Sequence, residues 1–226
     1  MVEVLRQTWV IARKDLVLEL RTRTGFIASA VFAALVLVVF NFGRDPTAVA
    51  TTQLGPSILW VTFTFAAMIG LNRAFQLELD NEAIEGLLAS PLSRSSLYLG
   101  KLLANLVFVG LVELIALALF TLFFDVPLAG VLGPLLGVMA LATVGFVAVG
   151  TLFSAMLIRT RLAELMLPVL LLPFLITPLT AAVQITARLF AGRPLSEVAG
   201  WIKLLAGYDI AFVTLALLLF PSLIDE

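Results

Sequence analysis

The sequence predicts an all-α, polytopic membrane protein: a single transmembrane domain over 1–226 with six membrane-crossing helices. Three observations predict it. Apolar residues make up 62% of the chain and charged residues only 13%, against about 25% charged in a soluble domain. Long charge-free runs recur at the length a bilayer requires, about 20 residues. The fourteen basic residues divide unevenly between the two sides that those runs define. Three further helices complete the expectation: an N-terminal interfacial helix, a short cytoplasmic coupling helix and an outer amphipathic helix.

Taken in order, residues 1–23 place Leu5, Trp9, Ala12, Leu16 and Leu20 at helical spacing, with Arg6, Arg13, Lys14 and Arg21 largely elsewhere around the helix. This reads as a helix lying in the membrane interface before the first span. A signal peptide fits poorly, because the charged region is long, holds Glu3, Asp15 and Glu19, and no small-residue cleavage site follows the apolar run. Span 1 is 24–43. Span 2 is 56–72, opening on Pro56, a residue suited to a first helical turn, and 73–79 is expected to continue it into the cytoplasm. Span 3 is 102–124, interrupted by Glu113, and Asp125-Val126-Pro127 makes a tight outer turn.

Residues 126–158 carry no charge, and Pro127 and Pro134 trim the start of span 4 to 132–157, whose Gly137, Ala140, Gly145 and Gly150 allow close helix packing. Span 5, at 165–187, has Pro168, Pro173 and Pro178 at five-residue intervals. Each removes a backbone donor, so a kink or break is expected, buried where other protein groups satisfy the freed carbonyls. An outer amphipathic helix over 194–205 follows, with Leu195, Val198, Ile202 and Leu205 on one face and Trp201 at headgroup depth. Gly207 is expected to end it, and Asp209 to cap span 6 at 210–223.

The remaining segment, 77–100, is the longest part of the middle chain that water tolerates. Glu78, Asp80, Glu82 and Glu85 crowd its first half, and Ile84, Leu87 and Leu88 fall at i, i+3, i+4. Asp80 or Asn81 caps a short helix, Ser90-Pro91 stops it, and Ser93 caps a second helix that runs through Lys101 into the bilayer. An ordinary solvated loop and a docking element for a soluble partner both fit this pattern. Arg6, Arg13, Lys14, Arg21, Arg23, Arg73, Arg94, Lys101, Arg159 and Arg161 fall on one side, and only Arg44, Arg188, Arg193 and Lys203 on the other. The positive-inside rule then puts both termini and 73–100 in the cytoplasm.

Several function classes are excluded. A net charge of −1 carries no nucleic-acid signal. The chain has no histidine and no cysteine, which removes the usual general base and the usual metal ligands. It has no P-loop, no HExxH and no GxSxG, so it is expected to be neither an enzyme nor an ATP-driven pump by itself. Glu113 is the candidate intramembrane polar site. A charge at that depth costs about 2.5–3.5 kcal/mol on insertion scales, so Glu113 is a neutral acid hydrogen-bonded between helices, a group facing a cavity, or one paired with another chain.

The segment LELDNEAIEGLLASPLSRSSLYLGK resembles the signature loop of the membrane permease of the cytochrome c maturation haem exporter. The resemblance rests on Glu78–Asp80, Glu85-Gly86-Leu87-Leu88, Ser90-Pro91 and Lys101, on Gly55-Pro56-Ser57-Ile58-Leu59-Trp60-Val61 at the opening of span 2, and on length and span number. Glu113 departs from the family's pattern, where an apolar residue is expected. The resemblance implies the membrane component of an ABC-type transporter in the bacterial inner membrane. It implies a homodimer of this chain that works with a cytoplasmic ATPase, which binds the ATP. It also implies a haem-handling membrane protein, a small helical protein and a haem chaperone as partners. Glu78, Asp80, Glu82, Ile84, Glu85, Leu87, Leu88 and Pro91 are then the ATPase-coupling residues. Haem is a cargo, with no cofactor bound by this chain. Of the axial ligands haem iron accepts, the chain offers only Tyr98, Tyr208 and scattered methionines. The alternatives are a permease of the same architecture for a lipid, polysaccharide or drug, and a membrane scaffold that transports nothing.

Overall fold

The structure is a computed structural model that describes residues 2–44, 50–75, 86, 90–126, 128–158, 160 and 163–225. Among these it contains seven long α-helices: α1 (Val2–Thr22), α2 (Thr24–Gly43), α3 (Thr51–Leu71), α4 (Arg94–Phe124), α5 (Leu132–Met156), α6 (Ala163–Phe190) and α7 (Ala199–Asp225). Helices α2 to α7 are the six long and apolar enough to cross a membrane. Burial sorts them into an inner and an outer set. The most apolar stretch of α5 is 72% buried and that of α3 67%, but those of α2 and α7 only 22% each. The first and last spans therefore present most of their surface to lipid or to partners, while α3 and α5 form the centre.

The helix ends follow local chemistry. Arg23 adopts the left-handed conformation (φ 56°) and separates α1 from α2. Glu19 then accepts a hydrogen bond from the Phe26 backbone N–H at 2.9 Å, satisfying one of the first-turn donors of α2. Ser93 caps α4, its hydroxyl oxygen accepting from the Ser96 N–H at 3.1 Å. Asp125 ends α4 in the left-handed region (φ 51°). Where α2 and α4 end and α3 begins, the Arg44 guanidinium donates to Thr51 Oγ1 (2.7 Å) and lies 5.0 Å from the centroid of the Phe124 ring, joining α2, α3 and α4.

Polar bonds between helices fix the centre. Ser154 Oγ donates to the Leu71 carbonyl (2.9 Å), Asn105 to Thr151 Oγ1 (3.0 Å), and the fully buried Tyr98 hydroxyl to the Ala148 carbonyl (3.1 Å). These tie α5 to α3 and α4 where no water competes; such bonds contribute about 0.6 kcal/mol each on average.

Four expectations from the sequence are corrected. Helix α3 starts at Thr51 rather than Pro56, which lies inside it; the one bond Pro56 removes would fall on Thr52, an exposed residue at the helix start. Residues 72–75 form turns rather than continuing α3, and 76–79 lie outside the described residues. Helix α6 runs unbroken through Pro168, Pro173 and Pro178. The outer helix and span 6 are one element: a 3-10 turn (Leu195–Val198) leads into a helix that continues through Gly207 to Asp225. Glycine costs a helix only about 1 kcal/mol, and packing of α7 along α5 outweighs it. Val198 and Leu205 of the expected outer stripe are accordingly buried in the protein. The N-terminal segment is a helix, and α1 buries Ile11 and Ala12 against α4 and leaves Leu5, Trp9 and Leu20 exposed. Gly100 is the point of closest approach there, since any side chain would meet Ile11 and the Thr8 carbonyl.

Candidate functional site

Three polar constellations interrupt the apolar bundle. The first is the intramembrane acid singled out by the sequence. Glu113, on α4, is 6% exposed. Thr143, at the middle of α5, places its hydroxyl 2.9 and 2.8 Å from the two carboxylate oxygens and 2.7 Å from the carbonyl of Met139. A single hydroxyl proton thus faces three acceptor atoms. Beside the pair is a cavity of about 20 Å³ whose wall includes Trp60, Phe63, Thr64, Phe146 and Pro178. It is large enough for one water molecule, which needs roughly 10–15 Å³ by this measure, and far too small for a macrocycle. Trp60 donates to Thr186 at 2.9 Å, joining α3 to α6 beside the cavity. Glu113 is thus hydrogen-bonded to α5 and lies beside this cavity.

The second constellation was not legible as a site. Asp209, expected to cap a helix, lies in the interior of α7 and is 7% exposed. Its carboxylate abuts Gly145 of α5, where any side chain would collide with it and with Tyr208. Neither carboxylate oxygen has a hydrogen-bond partner among the described residues. The adjacent Tyr208 hydroxyl donates to the Phe174 carbonyl at 2.9 Å. Phe174 lies four residues before Pro178, so its carbonyl is one that the proline leaves without an in-helix donor. Tyr208 replaces that donor, which is why α6 tolerates Pro178 at membrane depth. The hydroxyls of both tyrosines are therefore engaged with backbone carbonyls.

The third constellation is at the end of the bundle where α1, α3 and α4 meet. The Lys101 side chain is 2% exposed. Its ammonium lies 3.0 Å from Asp15 Oδ2 on α1, donates to the Ala74 carbonyl at 2.6 Å, and sits 4.7 Å from the Phe75 ring centroid. Ser96 adds a bond to the Val4 carbonyl (3.4 Å), and the Ser93 N–H donates to Gln7 (3.2 Å). A cavity of about 40 Å³ between α1, α2, α3 and α4 is lined by Asp15, Glu19, Arg73, Lys101 and Asn105, among others.

Of the coupling residues expected from the sequence, Glu78, Asp80, Glu82, Ile84, Glu85, Leu87 and Leu88 lie outside the described residues. Pro91 is described and exposed, just before the α4 cap. The described residues contain no group of three or more metal-ligating side chains.

The chain matches a family model described as CcmB protein over residues 6–224. It is similar to heme exporter protein B of Rhodobacter capsulatus, 27% identical over 136 residues, which is 58% of this chain and 62% of that one. The corresponding protein of Paracoccus denitrificans is 27% identical over 114 residues, 50% of this chain and 52% of that one. That of Escherichia coli is 26% identical over 107 residues, 47% of this chain and 49% of that one. The chain thus spans between about half and three-fifths of the length of these relatives. The family match takes in all six candidate spans, both intramembrane acids and the Lys101 cluster, and the chain belongs to the CcmB protein family.

Proposed function

We propose that this chain is the non-catalytic permease of an ABC-type haem exporter complex in cytochrome c maturation. The observation that carries the reading is the family match over residues 6–224, together with relatives named as heme exporter proteins. ATP is hydrolysed by a separate cytoplasmic protein, and this chain converts the shape change of that protein into motion of its helices. The chain is set in the bacterial inner membrane with both termini in the cytoplasm, as the distribution of basic residues favours. The coupling surface is the acidic-amphipathic stretch holding Glu78, Asp80, Glu82, Ile84, Glu85, Leu87, Leu88 and Pro91. It links α3 to α4, so force applied to it moves two spans together.

The cargo is haem, or a haem-loaded chaperone released on the outer side; the cavity beside Glu113 has room for one water and is too small to hold haem. The complex pairs two copies of this chain with copies of the ATPase. A haem-handling membrane protein, a small helical protein and a haem chaperone complete it.

Deleting this chain from its own bacterium tests the reading. Haem-stained c-type cytochromes are expected to disappear, while b-type haem proteins, which need no covalent attachment, keep their normal level. Normal c-type cytochromes in the deletion strain would contradict it. Loss of both types would point to haem supply in general rather than to export for maturation.

A further inference from the structure

We infer that α6 is hinged at Pro178, that Tyr208 of α7 latches the hinge, and that bending it opens the cavity beside Glu113 toward the bilayer. The inference goes beyond the function proposed above and does not depend on it.

Helix α6 is a wall one helix thick. Leu171, Leu175 and Pro178 are buried on its inner side, while Leu172, Phe174 and Ile176 are exposed. Leu175, Pro178 and Leu179 line the cavity that Glu113 also lines, so α6 stands between that carboxyl and the outside of the bundle. Pro178 has no N–H to give the Phe174 carbonyl, and its ring crowds the same oxygen. Pro173 weakens the preceding turn in the same way. Proline is the usual place for a long helix to bend.

The parts of α6 on either side of Pro178 are held by different neighbours. Before it, the Phe174 carbonyl accepts from the Tyr208 hydroxyl at 2.9 Å. The Phe174 ring meets Phe153 of α5 and Phe212 of α7 edge to face, with centroids 5.0 and 5.9 Å apart. Beyond Pro178, Thr186 accepts from the Trp60 indole N–H of α3 at 2.9 Å. Helix α3 belongs to the buried centre, and α7 is one of the two least buried spans. A shift of α7 against α3 is therefore taken up in α6 between Phe174 and Thr186. Pro178 is the weak point of that stretch, and the residues around it are those that line the cavity. While the Tyr208 bond holds, the turn stays closed, because no water at membrane depth can replace the hydroxyl. Once the bond is released, α6 bends away and apolar molecules dissolved in the bilayer reach Glu113.

The test uses the whole complex in native membranes, treated with an apolar carbodiimide, a reagent that reaches carboxyl groups from the lipid phase. The readouts are the adduct on Glu113, mapped by peptide mass spectrometry, and amide hydrogen exchange across 174–182. Tyr208→Phe removes only the hydroxyl and keeps the ring against Phe212, 4.3 Å away; it is expected to raise both readouts severalfold. Pro178→Ala returns an in-helix donor to the Phe174 carbonyl, so adding it to Tyr208→Phe is expected to bring both readouts back to the level of the unaltered chain or below. A tyrosine that merely packs α7 would not be relieved by a change in α6. If Tyr208→Phe lowers the amount of folded chain, Pro178→Ala alone carries the test and is expected to lower exchange across 174–182 and the Glu113 adduct formed on long exposure. Unchanged readouts in Tyr208→Phe, a rise that Pro178→Ala does not reverse, or unchanged exchange in Pro178→Ala alone overturns the inference. Each of these results leaves the proposed function standing, since that reading is tested by the c-type cytochromes of the deletion strain.

Discussion

Changing Leu87 and Leu88 together to aspartate is expected to leave the chain inserted in the membrane and to uncouple it from the ATPase proposed as its partner. Ile84, Leu87 and Leu88 fall at i, i+3, i+4 in a stretch that also carries Glu78, Asp80, Glu82 and Glu85. An apolar face of this kind beside a cytoplasmic partner is buried on docking, and two carboxylates introduced there are desolvated without partners. A loss of at least about 1.4 kcal/mol, or tenfold in affinity, follows. Reversing the charges of Glu82 and Glu85 is the control: exposed ion pairs contribute only about 0–1 kcal/mol, so the effect should be smaller and should fade as salt rises. Co-purification and hydrolysis rate of the complex, each at two salt concentrations, measure the difference. Full coupling in the double aspartate variant would rule out the segment as the docking surface.

Thr143→Val is expected to destabilise the bundle by about 1–3 kcal/mol, because it strips a buried carboxyl of the one hydroxyl beside it. Glu113→Leu should cost much less, since Thr143 keeps the Met139 carbonyl at 2.7 Å. With both partners made apolar nothing polar is stranded, so the double variant should resemble Glu113→Leu alone. Thermal unfolding in detergent, run as a double-mutant cycle, tests the coupling. Equal destabilisation by Thr143→Val with and without Glu113 would show that the two groups do not support each other. The same variants separate structure from transport: a double variant as stable as the unaltered chain that no longer supports c-type cytochromes assigns Glu113 to the working cycle.

The sequence reveals the spans because charges punctuate them. Arg23 and Arg44 bound α2, and Asp125 ends α4. Ser93 reads as a cap from its position after Ser90-Pro91, and the structure shows it capping α4. What the sequence hides depends on contacts between distant residues. Nothing local says that Tyr208 will supply the donor that Pro178 removes from Phe174, 34 residues earlier, so span 5 reads as kinked or broken where α6 is one helix without a break. Gly207 and Asp209 look like a stop and a cap because propensity is local, whereas the packing of α7 on α5 that overrides them is not. Helix α1 has two apolar sides, and periodicity marks Leu5, Trp9 and Leu20 rather than the Ile11 side that packs. Glu113 stands out because a lone acid in an apolar run is visible by itself; its partner Thr143 does not, because threonine is common in such runs. Lys101 appears as the residue that opens span 3, while its pairing with Asp15 joins two distant parts of the sequence and only the fold brings them together.

The most direct measurement is ATP hydrolysis in material purified from native membranes through a tag on this chain. A chain without a nucleotide-binding motif that is moved by a partner should bring down a separate ATP-hydrolysing protein together with haem-handling proteins, and Leu87→Asp with Leu88→Asp should remove the ATPase while the chain itself is recovered in full. Recovery of the unaltered chain without any ATPase, in membranes whose c-type cytochromes are being made, would contradict it.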